Sequence, residues 1–393
     1  MILNKLYALI STAMPGIHKV TILTILALQL NEKDHGQFAS DFFLIQALMI
    51  LTSIGVSNLL LVRFSAANKE EKAWLLSKAL NSTLILSVLI IPVLFILYEL
   101  NVIFDLIGTI YLLITWSVFI VVRHALLSEK AYIKIIIYES LFMVTPLFFY
   151  IYADNALSII ATGYSIVSFS ILYALRHRIK IFCFFDRQDL KKSIDISLAN
   201  FFSGSVIFLL VPVVSYVEGP VFSSFIALLV SYLSMMLLFP RSMSYFYLPD
   251  MSKNKGNRDN LFGIMKKFEK YNHLTLILLF CVAIFIYWSF AVLVDSRFLG
   301  VDYVLSFCLI LIGLLISQLA LPSSNILFVF EKTKDIFLVN AIGFIIFGVF
   351  TAMYLSLNNY ISLSFFLSVI IIINIYKLIK IKEMAVDVKN ECY

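Results

Sequence analysis

Long apolar runs alternate with short polar segments along almost the whole chain. Each run is about 20 residues long, which is the length that a helix needs to cross a hydrocarbon core of about 30 Å. Backbone groups in lipid have no water to bond, so segments of this kind are expected to be helical. The pattern predicts twelve membrane spans, with the approximate bounds 10–30, 38–62, 80–98, 104–122, 135–152, 157–175, 194–215, 221–240, 273–294, 303–328, 336–356 and 361–378.

The composition indicates a membrane protein, although a length of 393 residues alone would suggest two or three soluble domains. Hydrophobic residues make up 61% of the chain and charged residues only 14%, and the mean hydropathy is +0.97. A soluble core could not bury so much apolar surface. We therefore predict an all-α polytopic membrane protein.

The positive charges predict the orientation of the spans. Of the 30 Lys and Arg residues, only Lys33 and Arg297 fall in the loops of one side, and Lys19 falls within a span. The others lie on the opposite side, which the positive-inside rule assigns to the cytoplasm. Both termini are therefore expected to be cytoplasmic. We also expect the first span to be retained, since no cleavage site precedes it.

Several classes of protein are not indicated by the sequence. The four cysteines are scattered without metal-binding or disulfide spacing, so we expect neither a metal nor another cofactor. The sequence has no nucleotide-binding or catalytic motif. The net charge of +6 resides in short loops and does not form the pattern of a nucleic-acid-binding surface. We therefore expect no enzyme activity and no nucleic-acid partner.

The chain is expected to consist of two halves of six spans, 1–180 and 181–393, because the long polar segment 176–193 follows the sixth span. In each half, a glycine turn leads into a long apolar helix that ends at an arginine. The residues compared are Gly36 and Arg63 in the first half, and Gly219 and Arg241 in the second. Two repeats of the same topological sense around a central cavity are a common plan in transporters. The pattern thus predicts two six-helix bundles around a central cavity.

Lys19 is an informative polar residue because it lies within the first span, about 18 Å of helix from the predicted outer end. A lysine at the bilayer centre costs about 2.5–3.5 kcal/mol, so such residues usually face a water-filled cavity or a partner. We interpret Lys19, with His18 beside it, as lining a polar path. In the alternative, the span begins at Val20 and Lys19 anchors its inner end at the membrane surface. The apolar segment 20–30 alone, however, would be too short to cross the bilayer.

Other polar residues within the spans are candidates for the same path. Gln46 lies at about the depth of Lys19, and Asn200 lies on a polar face of the seventh span. Hydrogen bonding between helices is the alternative role for both residues. Asp41 and Glu139 are candidates for coupling an ion, and the alternative is that they are interfacial or capping residues.

Three arginines lie at the predicted inner ends of even-numbered spans: Arg63, Arg123 and Arg241. Positive-inside anchoring explains any one of them. Together they would give the inner mouth of a cavity a positive field, which favours a phosphate-bearing head group.

Several of these segments resemble the polysaccharide-exporter branch of the MOP superfamily, which includes the Wzx-type O-antigen flippases. That branch has a Gly-x-Phe element opening the second span and a Gly-Leu-like segment that leads to an arginine. The corresponding residues here are Gly36, Phe38, Gly55 and Arg63. The segments FYLPDMSK (246–253) and LPSSNILFVFEKTKD (321–335) resemble later motifs of the branch.

The resemblance implies a bacterial cytoplasmic-membrane protein that moves undecaprenyl-diphosphate-linked oligosaccharides from the inner to the outer leaflet. Transport would proceed by alternating access driven by an ion gradient or the membrane potential. Lys19, Arg63 and Arg241 match the cationic cavity of such proteins, and Arg123 matches it less closely. The implied partners are the lipid-linked oligosaccharide, the lipid bilayer, a polysaccharide polymerase and a chain-length regulator, and we expect a monomer.

Three other functions are compatible with a polytopic chain of this length. A multidrug or cation antiporter of the same superfamily would need acidic residues in its cavity, for which Asp41 and Glu139 are the candidates. A lipid II flippase often carries additional C-terminal spans. A polysaccharide polymerase or ligase would be expected to have a large outer loop, and the predicted outer loops are short.

Overall fold

The computed structural model describes residues 2–64, 67–150, 156–176, 179–180, 183–293, 296–330, 332–357 and 360–391, and this part of the chain is almost entirely helical. The α-helices are α1 (Ile2–Gln29), α2 (Glu32–Met49), α3 (Gly55–Phe64), α4 (Lys69–Glu99), α5 (Leu106–Ser128), α6 (Tyr132–Tyr150), α7 (Ala156–Ala174), α8 (Arg187–Val217), α9 (Pro220–Met236), α10 (Leu238–Lys253), α11 (Arg258–Leu293), α12 (Val301–Leu319), α13 (Leu321–Val329), α14 (Thr333–Ser356) and α15 (Leu363–Glu391). A π-helical segment, Ile50–Ile54, joins α2 to α3, and a short 3₁₀ helix, Ser296–Leu299, precedes α12.

The predicted fold class is confirmed. Within the described residues, 11 helical segments are long and apolar enough to cross a membrane. Each coincides with a predicted span, and the remaining predicted span, 135–152, coincides with α6 and continues into residues outside the described part. Large apolar side chains such as Leu89, Phe169 and Phe285 are exposed, as expected for helices that face lipid. The chain is a multi-pass helical membrane protein.

The chain forms two compact units, Met1–Leu228 and Leu229–Tyr393. The sequence predicts a different division, into halves of six spans at 1–180 and 181–393. That division is based on the number of spans, not on how compactly the residues pack, and it stays a prediction.

Several helices extend beyond the apolar runs that predict them. The segment 31–37 is predicted to be a loop, but α2 begins at Glu32, because Asn31 caps it by accepting a hydrogen bond from the backbone N–H of Asp34. Similarly, most of the predicted loop 241–272 belongs to α10 and α11. Leu261 and Phe268 are fully buried there, so tertiary packing stabilises helix where the charge pattern predicts a loop.

In the first unit, α2 and α3 pack closely against α8 and the beginning of α9 at two glycines. A Cβ atom on Gly36 would lie 1.7 Å from the carbonyl oxygen of Pro220, and one on Gly55 would lie 1.9 Å from that of Ser193. The N–H of Gly55 also donates a hydrogen bond to Oγ of Ser197 at 3.0 Å. Only glycine lets the backbones approach so closely. This packing gives a structural reason for the two glycines of the sequence motif.

The second unit has its own core, in which α10, α11, α13 and α15 meet. Met251, Leu261, Phe268 and Ile326 are fully buried in this core. The ring of Tyr247 stacks on Phe268 with centroids 5.0 Å apart. The end of α10 and the beginning of α11 thus belong to the hydrophobic core of the unit.

Candidate functional site

A group of buried polar side chains lies inside the first unit, on α1, α5, α6 and α7. Nε of Arg123 lies 3.0 Å from Oε1 of Glu139, and Nη2 of Arg123 donates to the carbonyl of Ser11 at 2.9 Å. The second carboxylate oxygen of Glu139 lies 3.8 Å from Nδ1 of His18. Nε2 of His18 is hydrogen-bonded to the hydroxyl of Tyr164. We call His18, Arg123, Glu139 and Tyr164 the buried polar cluster.

The ion pair of Arg123 and Glu139 stabilises the buried polar cluster electrostatically. Both side chains are buried, and an unpaired charge at such a depth would cost several kcal/mol of desolvation. The cluster places a guanidinium, a carboxylate, an imidazole and a phenol in a continuous series of contacts across four helices. Chains of ionisable side chains inside a membrane protein are the arrangement found in proton relays.

Aromatic rings pack against the Tyr164 side of the buried polar cluster. The ring of Tyr164 lies edge-on to Phe142 and to Trp116, with centroid distances of 4.8 and 5.8 Å. The ring centroid of Trp116 in turn lies 5.1 Å from that of Phe42 on α2. These contacts fix the orientation of Tyr164 and therefore the position of its hydroxyl against His18.

Lys19 is buried beside the cluster but points to different neighbours. Its Nζ lies 5.4 Å from the ring centroid of Phe43 on α2 and 5.1 Å from that of Phe208 on α8. The side chain is only 7% exposed. Contact with two aromatic faces stabilises an ammonium group by about 0.5–2 kcal/mol. The structure thus places Lys19 within the protein interior.

The carboxylate of Asp41, which is not part of the buried polar cluster, is hydrogen-bonded to backbone N–H groups. It accepts hydrogen bonds from the N–H groups of Phe104 at 3.1 Å and Asp105 at 2.9 Å. Asp105 in turn caps α5 by accepting a bond from the N–H of Gly108 at 2.9 Å. Asp41 therefore holds the beginning of α5 in place, and its predicted role in ion coupling stays a prediction.

Arg63 forms a bidentate ion pair with Asp189, which joins the end of α3 to the beginning of α8. Nη2 of Arg63 donates to Oδ1 of Asp189 at 2.6 Å, and Nη1 donates to Oδ2. Arg63 lies just beyond the apolar segment Glu32–Leu61, and its side chain is 38% exposed. The hydrogen bond to Asp189 raises the pKa of Arg63 above its ordinary value, because the bond favours the charged form.

We expect Asp189→Ala to lower the stability of the chain by about 1 kcal/mol, because the pair is bidentate but partly exposed to solvent. The measurement is the apparent melting temperature of the detergent-solubilised chain. The exchanged pair Arg63→Asp/Asp189→Arg should recover part of the loss. Lys380→Ala, which removes an exposed pair with Glu383, should leave the melting temperature unchanged. Equal melting of Asp189→Ala and wild type would contradict the structural role.

Comparisons with known proteins identify the fold. No family model matches the chain, and no curated protein sequence matches it. Among solved structures, it is similar to the inward-facing conformation of a multidrug resistance MATE family transporter of the MOP superfamily, with a TM-score of 0.70 and 14% identity over 97% of this chain and 96% of the other.

Two further structures show the same similarity. The outward-facing conformation of a multidrug resistance MATE family transporter matches with a TM-score of 0.63 and 16% identity, covering 98% of this chain and 94% of the other. A MOP superfamily transporter from Pyrococcus furiosus Vc1 (DSM3638) matches with a TM-score of 0.64 and 14% identity, covering 98% and 94%. Its reported binding pocket has reversed polarity, which suggests a different function. The chain has the fold of a MOP-superfamily transporter.

The contacts of the remaining predicted site residues can be described one by one. Gln46 is buried on α2, and Nε2 of Gln46 has no hydrogen-bond partner among the described residues. Asn200 is half-buried and donates to the carbonyl of Ile196 on its own helix at 2.8 Å. Arg241 lies on α10 in the second unit and is exposed. Their predicted roles in substrate binding stay predictions.

Several residues of the site are not indicated by the sequence. Tyr164 and Trp116 are ordinary aromatic residues of apolar spans, and nothing in their spacing distinguishes them from residues that face lipid. Similarly, nothing in the sequence of α8 indicates that Phe208 contacts Lys19. Asp189 carries a weak signal, because an acidic residue in the first turn of a helix is expected from the helix dipole. A sequence cannot show that its partner is Arg63, 126 positions away.

Proposed function

We propose that this chain is a membrane transporter of the MOP-superfamily fold and not an enzyme. The fold covers nearly the whole chain, and the similar structures are transporters. Buried ionisable side chains on membrane-spanning helices support the same proposal, because such residues are costly in a membrane and usually serve transport. The transport cycle would be alternating access, with the buried polar cluster as the candidate for coupling an ion.

The comparisons favour a multidrug antiporter as the more specific function. Two of the similar structures are described as multidrug resistance MATE family transporters. The carboxylates of Asp41 and Glu139 would then be the groups available to a cationic drug or a coupling ion. Asp41 is engaged by two backbone N–H groups and Glu139 by Arg123, so either carboxylate would have to exchange a partner on binding.

One observation in the chain itself favours an anionic cargo instead, namely the buried ammonium group of Lys19. A cation held between Phe43 and Phe208 would repel a cationic drug and attract a diphosphate. This observation, with the motif resemblance, supports the second candidate function, the flipping of a lipid-linked oligosaccharide. The flippase would reside in the bacterial cytoplasmic membrane with both termini inside.

Two complementation assays separate the candidates. The chain is expressed in a flippase-deficient strain, scored by surface polysaccharide, and in a strain that lacks its drug efflux pumps, scored by resistance to cationic dyes. Restored polysaccharide with unchanged dye resistance supports the flippase. Dye resistance without polysaccharide supports the antiporter. If the chain is present in the membrane at a normal level and restores neither polysaccharide nor dye resistance, the result counts against both the flippase and the antiporter.

Lys19→Ala is expected to lower polysaccharide export at least tenfold if the cargo is anionic, because the variant removes the buried cation that offsets phosphate desolvation. Lys19→Arg, which keeps the charge, should retain more of the activity. Lys33→Ala is the matched control, since Lys33 is exposed near the beginning of α2. The measurement is surface polysaccharide per copy of membrane-inserted protein.

A cationic cavity would be contradicted if Lys19→Ala and Arg241→Ala both left export at the wild-type level. The same variants also test the antiporter. Removing a cation should leave the export of a cationic dye unchanged or raise it, so a loss of dye export in Lys19→Ala would show that Lys19 acts through the structure rather than through its charge.

A further inference from the structure

The helix α11 is too long to lie entirely within a bilayer. Its 36 residues, Arg258–Leu293, span about 54 Å. The segment 274–293 contains no charged residue, and a segment of this length fills a hydrocarbon core of about 30 Å. The helix therefore leaves the hydrocarbon near His273. The residues of the preceding one or two turns, about 5–11 Å of helix, lie at or just beyond the lipid headgroups, which on each side occupy about 5–8 Å.

A shallow groove runs along α11 across this boundary. Its volume is about 470 Å³, and we call it the α11 groove. The groove is lined by Lys266, Glu269, Lys270, His273, Leu274 and Ile277. Spacings of three and four residues place these side chains on one face of the helix. The charged residues occupy the end beyond the hydrocarbon, and the apolar residues occupy the end within it.

The charged end of the α11 groove is positive. Lys266 and Lys270 are exposed, and within the described part of the chain neither forms an ion pair. The carboxylate of Glu269 lies 3.6 Å from Nζ of Lys382 on α15, so a lysine outside the groove offsets its charge. Two ammonium groups one helical turn apart are thus available to a ligand at the membrane surface.

The apolar end of the α11 groove is open to lipid. Leu274 is 55% exposed and Ile277 is 63% exposed. An occupant that lies along the groove would therefore meet two cations first and an apolar surface one to three turns further along. A soluble anion would contact only the positive end of the groove. An anionic phospholipid would contact both ends, because its headgroup is negative and the acyl chains that follow it are apolar.

We propose that the α11 groove is a binding site for an anionic phospholipid, separate from the transport path. Lys266 and Lys270 contact the headgroup phosphate, and an acyl chain lies along Leu274 and Ile277. The attraction is a short-range one, because charges at the membrane surface are screened within about 10 Å. The site lies entirely on the second unit and does not depend on which substrate is transported.

The test is a titration of the detergent-solubilised full chain with phosphatidylglycerol and with zwitterionic phosphatidylethanolamine, followed by native mass spectrometry. We expect the wild type to bind phosphatidylglycerol more tightly. Each lysine near a membrane surface contributes about fivefold in affinity, so Lys266→Gln/Lys270→Gln should weaken binding roughly 25-fold. The charge-preserving Lys266→Arg/Lys270→Arg should bind like the wild type, which separates charge from folding.

The matched control is Lys253→Gln/Lys267→Gln, which removes the same charge from two exposed lysines outside the groove. Its affinity for phosphatidylglycerol should stay within about twofold of the wild type. Equal weakening in the control and the groove variant would overturn the site in favour of general attraction. No preference for phosphatidylglycerol in the wild type, or its displacement by millimolar inorganic phosphate, would overturn the lipid as occupant.

Discussion

Replacing Glu139 by Leu is expected to destabilise the chain by about 3–5 kcal/mol, the cost of leaving a buried charge without its partner. Arg123 would keep its contact with the carbonyl of Ser11, but its guanidinium would lose the carboxylate 3.0 Å from Nε. The measurement is the apparent melting temperature of the solubilised chain. We expect a fall of at least several degrees and a lower yield of monodisperse protein.

The control for this prediction removes both charges. The double variant Arg123→Met/Glu139→Leu leaves no buried charge and should be close to the wild type in stability, since replacing a buried ion pair by apolar side chains is often neutral or stabilising. Glu139→Gln, which keeps the shape but loses the charge, should fall between the two. If Glu139→Leu melted like the wild type, the ion pair would not be buried as described.

Gly36→Ala is expected to be nearly as damaging, because the new methyl group would meet backbone that cannot rotate away. The nearest atoms to a Cβ at this position are the carbonyl oxygen, carbonyl carbon and Cα of Pro220, at 1.7, 2.4 and 2.9 Å. Relief requires α2 and α9 to separate, and overpacking of this kind costs about 1–3 kcal/mol or more. The melting temperature and the transport assay should both decline.

Two glycine variants serve as matched controls for Gly36→Ala. Gly204→Ala on α8 adds a methyl group that would lie 3.7 Å from Cδ1 of Ile50, an ordinary contact distance. In Gly348→Ala on α14 the new methyl group meets no other packed atom of the described residues within 4 Å, so this variant should gain up to about 1 kcal/mol from helix propensity. If Gly36→Ala behaved like these controls, the close contact with Pro220 would not exist in the folded protein.

The fold could be predicted from the sequence where one property decides the structure. The uncharged segment 274–293 can be only a membrane helix, because lipid leaves its backbone no other partner. The charged segment 258–272 is different, since its helical state depends on burying Leu261 and Phe268 in the core of the second unit. Hydropathy alone does not show which polar segments will dock in this way, so the extensions of the helices were not predicted.

The sequence indicates three of the four side chains of the buried polar cluster, but not the contacts between them. A charge or imidazole within an apolar span or at its end stands out, and His18, Arg123 and Glu139 are candidates for this reason. Their contact depends on the rotation and packing of α1, α5 and α6, and hydrophobic periodicity does not fix these to within the few ångströms that an ion pair needs. Tyr164 is the clearest example, because nothing in the sequence around this tyrosine indicates that its hydroxyl contacts a histidine.

The π-helical segment Ile50–Ile54 has a consequence for how the second span tolerates changes in length. It widens the turn between α2 and α3, and Oγ of Ser53 bonds back to the carbonyl of Met49 at 2.8 Å. In a regular helix each residue advances the chain by 100°, so the widened turn sets the rotational phase between Gly36 and Gly55. A substitution in this segment can leave that phase intact, whereas an insertion or deletion of a single residue turns one glycine away from its neighbour. We therefore expect this stretch to tolerate a change of residue type better than a change in the number of residues.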